Sequence, residues 1–402
     1  MEYLIPIFLC LLFSIQYDQT TGIYILGESH RSKRKYNFIF IWLVLISAFQ
    51  YKIGYDIPIY MDNYESNKFI ELSDIFGHSR YKPGWLFLQY ICHQISDDFV
   101  VLKIIQSLFL NYCVYKFLSR YSKYWYLTLF FYILYPYGQL NFGAMRQAFA
   151  VGFFLLSIPY LEERNTQKES IIALIKYGCL IYLATLFHTS AYFLYLVPFF
   201  KLCVTSMKRM TIVTFVVVIA SIILSQISSL NMILYSLVQS SEVMEESSRY
   251  YLTSGDYEGT KKGIALIISY IPICFVYICL YLNRNLRDSR YRVIQMLLLA
   301  YIVMATLNLS IPIFYRFNDY FVFAYIILIP MAIYNGDIFN KVLTKSIGVL
   351  KLLLFAIYIL YPVNHLIAVH PSFGFPGYRI YYPYYSVFNP QVDPVRSKTI
   401  NF

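Results

Sequence analysis

The sequence predicts an all-α integral membrane protein, a polytopic helical bundle of about twelve transmembrane helices. Three observations lead there. The chain of 402 residues is 58% hydrophobic and 14% charged, whereas a soluble globular chain is about one quarter charged. Its mean hydropathy is +0.53. Its apolar residues recur in blocks of roughly 15–22, near the length that crosses a bilayer as a helix. Residues 1–402 therefore read as a single polytopic membrane domain with loops.

The expected spans, in order, are 3–17, 37–54, 99–118, 125–139, 143–161, 170–187, 190–203, 210–228, 263–282, 293–313, 319–334 and 346–362. The first is followed by the basic residues Arg31, Lys33, Arg34 and Lys35. A cleaved signal peptide has the reverse order and a small-residue cleavage site, so this block reads as a first transmembrane helix with its N-terminus outside. Later basic groups fall on the same side: Arg120 with Lys123, Arg164 with Lys168, Lys201 with Lys208 and Arg209, Arg284 through Arg287 and Arg290 to Arg292, and Lys341 with Lys345. Basic residues in short loops mark the cytoplasm. Loops 55–83 and 229–262 and the tail 363–402 are then expected outside, and with them the C-terminus. Segment 84–96 is too short to cross, and crossing there would invert every later loop. It is expected as a short re-entrant or interfacial segment, which must be covered by protein or line a wet cavity. Span 190–203 is short as well, and Pro198 is expected to kink it. The tail reads either as a lid or as a loose end.

The net charge is +11, but no basic helix or RNA-binding motif accompanies it, so no nucleic-acid partner is expected. The seven cysteines lie in or beside apolar blocks without CxxC or His-paired spacing. They read as inert thiols, and neither a metal nor a cofactor is expected. No DxD, HExxH or Gly-rich phosphate loop supports nucleotide-sugar use from the cytoplasm. The 43 Tyr and 33 Phe suit an aromatic belt at the headgroups, with some rings free to stack on sugars.

Ionisable residues beside apolar blocks are costly and point to function. Asp56, Lys82, Arg146, His188 and Arg316 come from five places in the chain, and the expected topology brings all five near the outer surface. Each has an ordinary alternative. Asp56 is then a loop carboxylate, Lys82 (like Arg80) a loop charge and His188 a hydrogen-bonded helix end. Arg146 snorkels to the headgroups, and Arg316 pairs with Asp319. A cation at a helix N-terminus opposes the macrodipole, however, so Arg146 is poorly placed to be idle. An outward-opening polar cavity accounts for the whole set. Arginine suits phosphate because its planar fork binds two oxygens and stays charged. A carboxylate or imidazole beside it is a candidate general base for a sugar hydroxyl.

Several stretches, in order, resemble the EpsG/Wzy group of bacterial polysaccharide polymerases. They are Gly54-Tyr-Asp56 with Tyr60, Tyr81-Lys-Pro83-Gly84-Trp85, Tyr112 to Tyr124, Gly143-Ala-Met-Arg146-Gln147-Ala148, Leu186-Phe187-His188-Thr-Ser190-Ala191, and Arg316 to Phe321. The G-x-R-Q-A element is the most specific of them. The chain departs from the family where Gln50 replaces an arginine and Lys82 a glutamate. The resemblance implies a metal-independent, GT-C-like glycosyltransferase at the outer face of the bacterial inner membrane. It implies transfer of the growing glycan from undecaprenyl diphosphate onto an incoming lipid-linked oligosaccharide repeat unit. A chain-length regulator protein is a candidate partner besides the lipid bilayer. In this reading Arg146 and Arg316 contact the diphosphate, and His188 or Asp56 is the base, unranked. Tyr60 and Trp85 face the sugar, while Lys82 and Gln147 also bind substrate. Two other readings remain: a flippase or transporter of lipid-linked oligosaccharides, and an O-antigen ligase or membrane acyltransferase.

Overall fold

The computed structural model describes residues 2–18, 30–77, 81–225, 264–285, 288–311, 314–334 and 374–399, with single residues between 360 and 368. Every named element among them is helical, and isolated bridges join Gln50 to Ser386 and Ser386 to Asn389. Packing divides the chain into two units. The first comprises Met1–Leu156, Leu186–His188 and Phe339–Phe402; the second comprises Ser157–Thr185 and Thr189–Ile338.

In the first unit, the 23-residue helix Phe99–Tyr121 is long and apolar enough to cross a membrane. Its start is set by Asp98, whose carboxylate accepts the Val100 N–H at 2.9 Å, satisfying one of the donors a helix leaves open. Helix His30–Ala48 packs along it. Helix Trp125–Tyr132 does not run on as α over the expected span 125–139. Its continuation widens into π-helical turns at Ile133–Tyr137, around Pro136, and at Gln139–Gly143. Proline supplies no N–H and crowds the preceding turn, and such π turns gather at functional sites. After Ala144 a new helix, Met145–Ser157, begins.

Segment 84–96 is a short helix, Pro83–His93, opened by a proline at a position where the missing N–H has no helical acceptor to lose. The tail is docked. Tyr51 N–H donates to Tyr385 O at 2.9 Å, Val387 N–H to Phe49 O at 2.9 Å, and Gly54 N–H to Ile380 O at 3.2 Å. The fully buried Arg396 fastens this turn by donating to Ile380 O at 3.2 Å and Pro383 O at 2.9 Å.

In the second unit, helix Ser289–Asn308 is the core, buried along most of its length against Met207–Ser225, Ile264–Leu282 and Tyr315–Tyr334. Two buried amides are bonded there: Gln295 Nε2 donates to Asn283 O at 2.6 Å and Asn283 Nδ2 to Leu328 O at 3.1 Å. The expected span 190–203 is a 3-10 helix, Thr189–Leu202, that carries Pro198 within it. Its 14 residues rise about 2.0 Å each, so it extends about 28 Å, close to the thickness of a hydrocarbon core. The shortness expected from an α-helical rise is thus offset by the tighter winding.

Among the described residues, four helices are long and apolar enough to span a membrane: Phe99–Tyr121, Met207–Ser225, Ser289–Asn308 and Tyr315–Ile333. Shorter apolar helices lie at Leu4–Asp18, Met145–Leu161 and Ile268–Leu282. Loop 229–262, nearly all of the expected span 346–362, and Arg80, Arg287, Lys341 and Lys345 lie outside the described residues.

Candidate functional site

The site residues of the first unit are gathered by two glycines. Gly54 has φ +96°, and a Cβ there would lie 1.6 Å from the Phe142 carbonyl oxygen. Only glycine fits both the left-handed backbone and this approach. The contact seats the Gln50–Gly54 turn against the segment just before Ala144. Gln50 Oε1, buried beneath the turn, accepts the Ile53 N–H at 2.8 Å. Thus Gln50 shapes the turn. Asp56 follows as the N-cap of helix Ile57–Ser66, and Tyr60 lies one turn further along.

Gly84 plays the matching part. Its N–H donates to Leu186 O at 2.9 Å, and a Cβ there would stand 2.7 Å from the same oxygen. The Lys82-Pro83-Gly84 turn is thereby held against Leu186-Phe187-His188. Phe187 stacks on Phe149 of helix Met145–Ser157, with centroids 4.9 Å apart and planes 18° apart. His188 is buried.

Arg146, second in helix Met145–Ser157, is where these pieces meet. Its guanidinium and its backbone N–H both donate to the Tyr60 hydroxyl. The guanidinium also lies over the Tyr81 ring, 5.0 Å from the centroid, a cation–π geometry. Burial raises the Tyr60 pKa above the ordinary tyrosine value, against the lowering pull of the Arg146 charge; the Asp56 charge adds to the rise. Tyr60 is therefore a neutral acceptor for the arginine at neutral pH. Asp56, Tyr81, Lys82 and Arg146 are partly exposed, while Tyr60, Gln147 and His188 are buried.

Trp85 takes a different place from the one expected. It is wholly buried in a cluster with Ile57, Tyr60, Tyr64, Met145 and Phe149. Its Nε1 donates to Asn63 Oδ1 at 3.1 Å, which also accepts from Gln89 Nε2 at 2.7 Å. Its ring lies 5.3 Å from that of Tyr60. A stacking platform needs an open face, so in this conformation Trp85 braces Tyr60.

Arg316 belongs to the second unit. It begins helix Tyr315–Tyr334 and donates from Nε to the Tyr315 hydroxyl at 3.3 Å. Its charge acts on Asp319, one turn along. Within its own unit this helix is tied to Thr189–Leu202 by the Ser190–Tyr320 hydroxyl pair at 2.9 Å and by Phe193 against Phe317 at 5.0 Å. Two elements that sequence reading treats as separate thus share an anchor.

Sequence reasoning missed Lys103. This lysine is 1% exposed, yet it lies inside the Phe99–Tyr121 span. The signal was present: Lys103, Gln106, Ser107 and Asn111 recur at helical spacing within an apolar block, placing a polar stripe on one face. Among the described residues no group of three or more His, Cys, Asp or Glu is placed to hold a metal ion.

Against known families, residues 33–386 match the one described as the EpsG family. No curated protein and no solved structure matches the chain.

Proposed function

Because the chain belongs to the EpsG family, we propose that it is a polysaccharide polymerase, an integral-membrane glycosyltransferase that joins lipid-diphosphate-linked oligosaccharide repeat units. The observation that carries this reading is the arginine at the helix break. Arg146 stands at the start of a helix, partly exposed, oriented by Tyr60 and Tyr81 and accompanied by Asp56. A fixed guanidinium beside a helix N-terminus is suited to a diphosphate, because the fork and the helix N–H groups all favour anionic oxygen.

The reaction is the one that the family resemblance implies. The acceptor sugar hydroxyl attacks the anomeric carbon of the donor glycan. A C–O bond forms there, and the bond from that carbon to the lipid diphosphate breaks. The hydroxyl proton passes to a carboxylate or imidazole, for which Asp56 and His188 are the two candidates. The diphosphate leaves with the bonding pair, and Arg146 stabilises its growing charge from a position held in advance. Lys82 and Gln147 are further candidate substrate contacts, and Tyr60 serves by orienting Arg146. Arg316, in the second unit, is a separate candidate for phosphate. The positive-inside pattern supports placing this chemistry at the outer face of the inner membrane, with undecaprenyl diphosphate as the lipid carrier.

The test is gel analysis of surface glycan from cells that lack the gene and are complemented with Arg146→Ala. The expected result is collapse of the ladder to a single repeat unit, with the variant present in membranes at the normal level. A full ladder from Arg146→Ala would remove Arg146 from the chemistry. In cells without the gene, loss of every surface unit with lipid-linked units retained inside would favour a flippase. Long polymer left unattached would favour a ligase.

A further inference from the structure

Behind the Arg146 turn lies a buried polar cluster that the proposed reaction does not use. Lys103 Nζ donates to the Asn141 carbonyl oxygen and, at 2.6 Å, to Gln106 Oε1. The same Nζ stands 5.8 Å from the centroid of the Phe142 ring. Gln106 Nε2 donates to Leu140 O at 3.2 Å. The Asn141 side chain accepts from Ser47 Oγ at 2.9 Å and Asn111 Nδ2 at 2.8 Å. It donates to the Tyr132 hydroxyl at 3.2 Å and Tyr137 O at 3.1 Å. All of these residues belong to the first unit.

The backbone explains why a lysine is needed there. Ala144 leaves helical geometry, with φ −75° and ψ 67°, after its N–H has bonded Gln139 O at 3.0 Å. The helical ladder ends at that bond, so the carbonyls of Leu140 and Asn141 are taken by side chains of the neighbouring helix instead. Carbonyl groups inside a membrane protein must be satisfied by protein or water, and a cation is the favoured partner at a helix C-terminus. The next helix starts one residue later, and Arg146 is its second residue. One helix end is thus gripped by Lys103, and the new helix start is gripped by Tyr60.

We propose that Lys103 is a positioning residue for Arg146. It fixes where the π-helical turn ends and therefore where the arginine-bearing helix begins. This rests on the polymerase reading. Lys103 is too deeply packed to meet substrate, so its influence on rate passes through the guanidinium.

A double-mutant cycle tests this. Initial rates of chain extension are measured on purified protein with lipid-linked repeat units, for Lys103→Met, Arg146→Lys and the double variant. The melting midpoint of each is recorded. Lys103→Met is expected to lower the rate by about 10- to 100-fold, the scale of a small displacement of a catalytic group. The double variant should be no slower than the slower single variant, because residues acting as one unit do not add. Lys103→Arg, which keeps the donors, should recover most of the rate.

A double variant whose loss is the product of the two single losses overturns the positioning role while leaving the polymerase reading intact. An unchanged rate for Lys103→Met does the same. Full activity in Arg146→Lys and in Arg146→Ala overturns both. If Lys103→Met does not accumulate, Gln106→Met, which removes the grip on Leu140 O, enters the same cycle with the same expectations. Failure of both to accumulate assigns Lys103 to folding alone and ends the proposal.

Discussion

Arg146 and Arg316 begin two helices in similar aromatic company, and they are built in different ways. Arg146 is assembled from distant parts of the chain: Tyr60 receives its donors, Tyr81 lies beneath it, and Phe142 and Lys103 set the break before it. Arg316 draws its named neighbours from its own helix, with Tyr315 beside it and Asp319 one turn on. A side chain fixed by several independent segments has little freedom left, so its placement is preorganised for charge that develops during reaction. The difference predicts that the surroundings of Arg146 matter more than those of Arg316.

The largest expected effect is at Gly54. Gly54→Ala should abolish polymer, because the new Cβ would meet the Phe142 carbonyl oxygen at 1.6 Å and φ is +96°. Gly143→Ala should leave the ladder nearly normal, since a Cβ there meets nothing closer than the Tyr55 hydroxyl oxygen at 3.4 Å. Gel analysis of both variants decides it. An intact ladder from Gly54→Ala would break the claim that long-range seating fixes Arg146.

Next comes Tyr60→Phe. It removes the hydroxyl that accepts from the Arg146 guanidinium and backbone N–H and keeps the ring in its cluster. A lost bond to a charged group in a buried setting costs roughly 1.5–3 kcal/mol, so the extension rate should fall about 10- to 150-fold with the melting midpoint little changed. A rate within twofold of the parent would mean that Tyr60 does not orient the arginine.

Arg316→Lys should lose about tenfold or under in the same rate assay, because a charge survives where the two-pronged contact is lost, and less than Arg146→Lys, which also gives up the guanidinium's contacts with Tyr60 and Tyr81. Equal losses would erase the contrast between the two arginines and give them equal weight in phosphate binding.

The smallest effect is one of pH. Asp97 sits outside the spans and pairs with Lys68 at 2.6 Å. The Lys68 hydrogen bond, followed by that of His93, holds its carboxyl below the ordinary carboxylate range despite some desolvation. A lowered folded-state value stabilises the protein above the unfolded carboxylate pKa of about 3.9. That contribution is lost as pH falls through the folded value. Asp97→Asn should therefore lower stability slightly at neutral pH, change nothing below the folded value, and so flatten the acid side of the profile. A large loss at neutral pH would mean that the Asp97–Lys68–His93 group does more than an exposed ion pair can.

The sequence nominates its candidates by position. Asp56, Arg146, His188 and Arg316 stand out because ionisable groups beside apolar blocks are expensive. Roles were less legible. Trp85 reads as a sugar platform from its neighbours in sequence, yet packing turns it inward onto Asn63 and Tyr60. The tail reads as lid or loose end, yet Arg396 and the bonds to Tyr51 and Gly54 tie it to the turn before Asp56. Lys103 escaped notice because one charge barely lowers the hydropathy of a 23-residue helix, while its acceptors lie 38 residues away in the chain at Asn141 and three residues away at Gln106.

By itself the sequence determined the helical membrane class, the elements that place the chain in its family and the residues worth watching. Hydropathy adds up along a segment and needs no knowledge of neighbours. Only the tertiary structure decided which of those residues meet, where a helix breaks into π turns, and that 190–203 winds as a 3-10 helix. Those outcomes depend on which carbonyl finds which donor and how closely two backbones approach. Both are set by segments far apart in the chain, as Gly54 against Phe142 and Gly84 against Leu186 make plain.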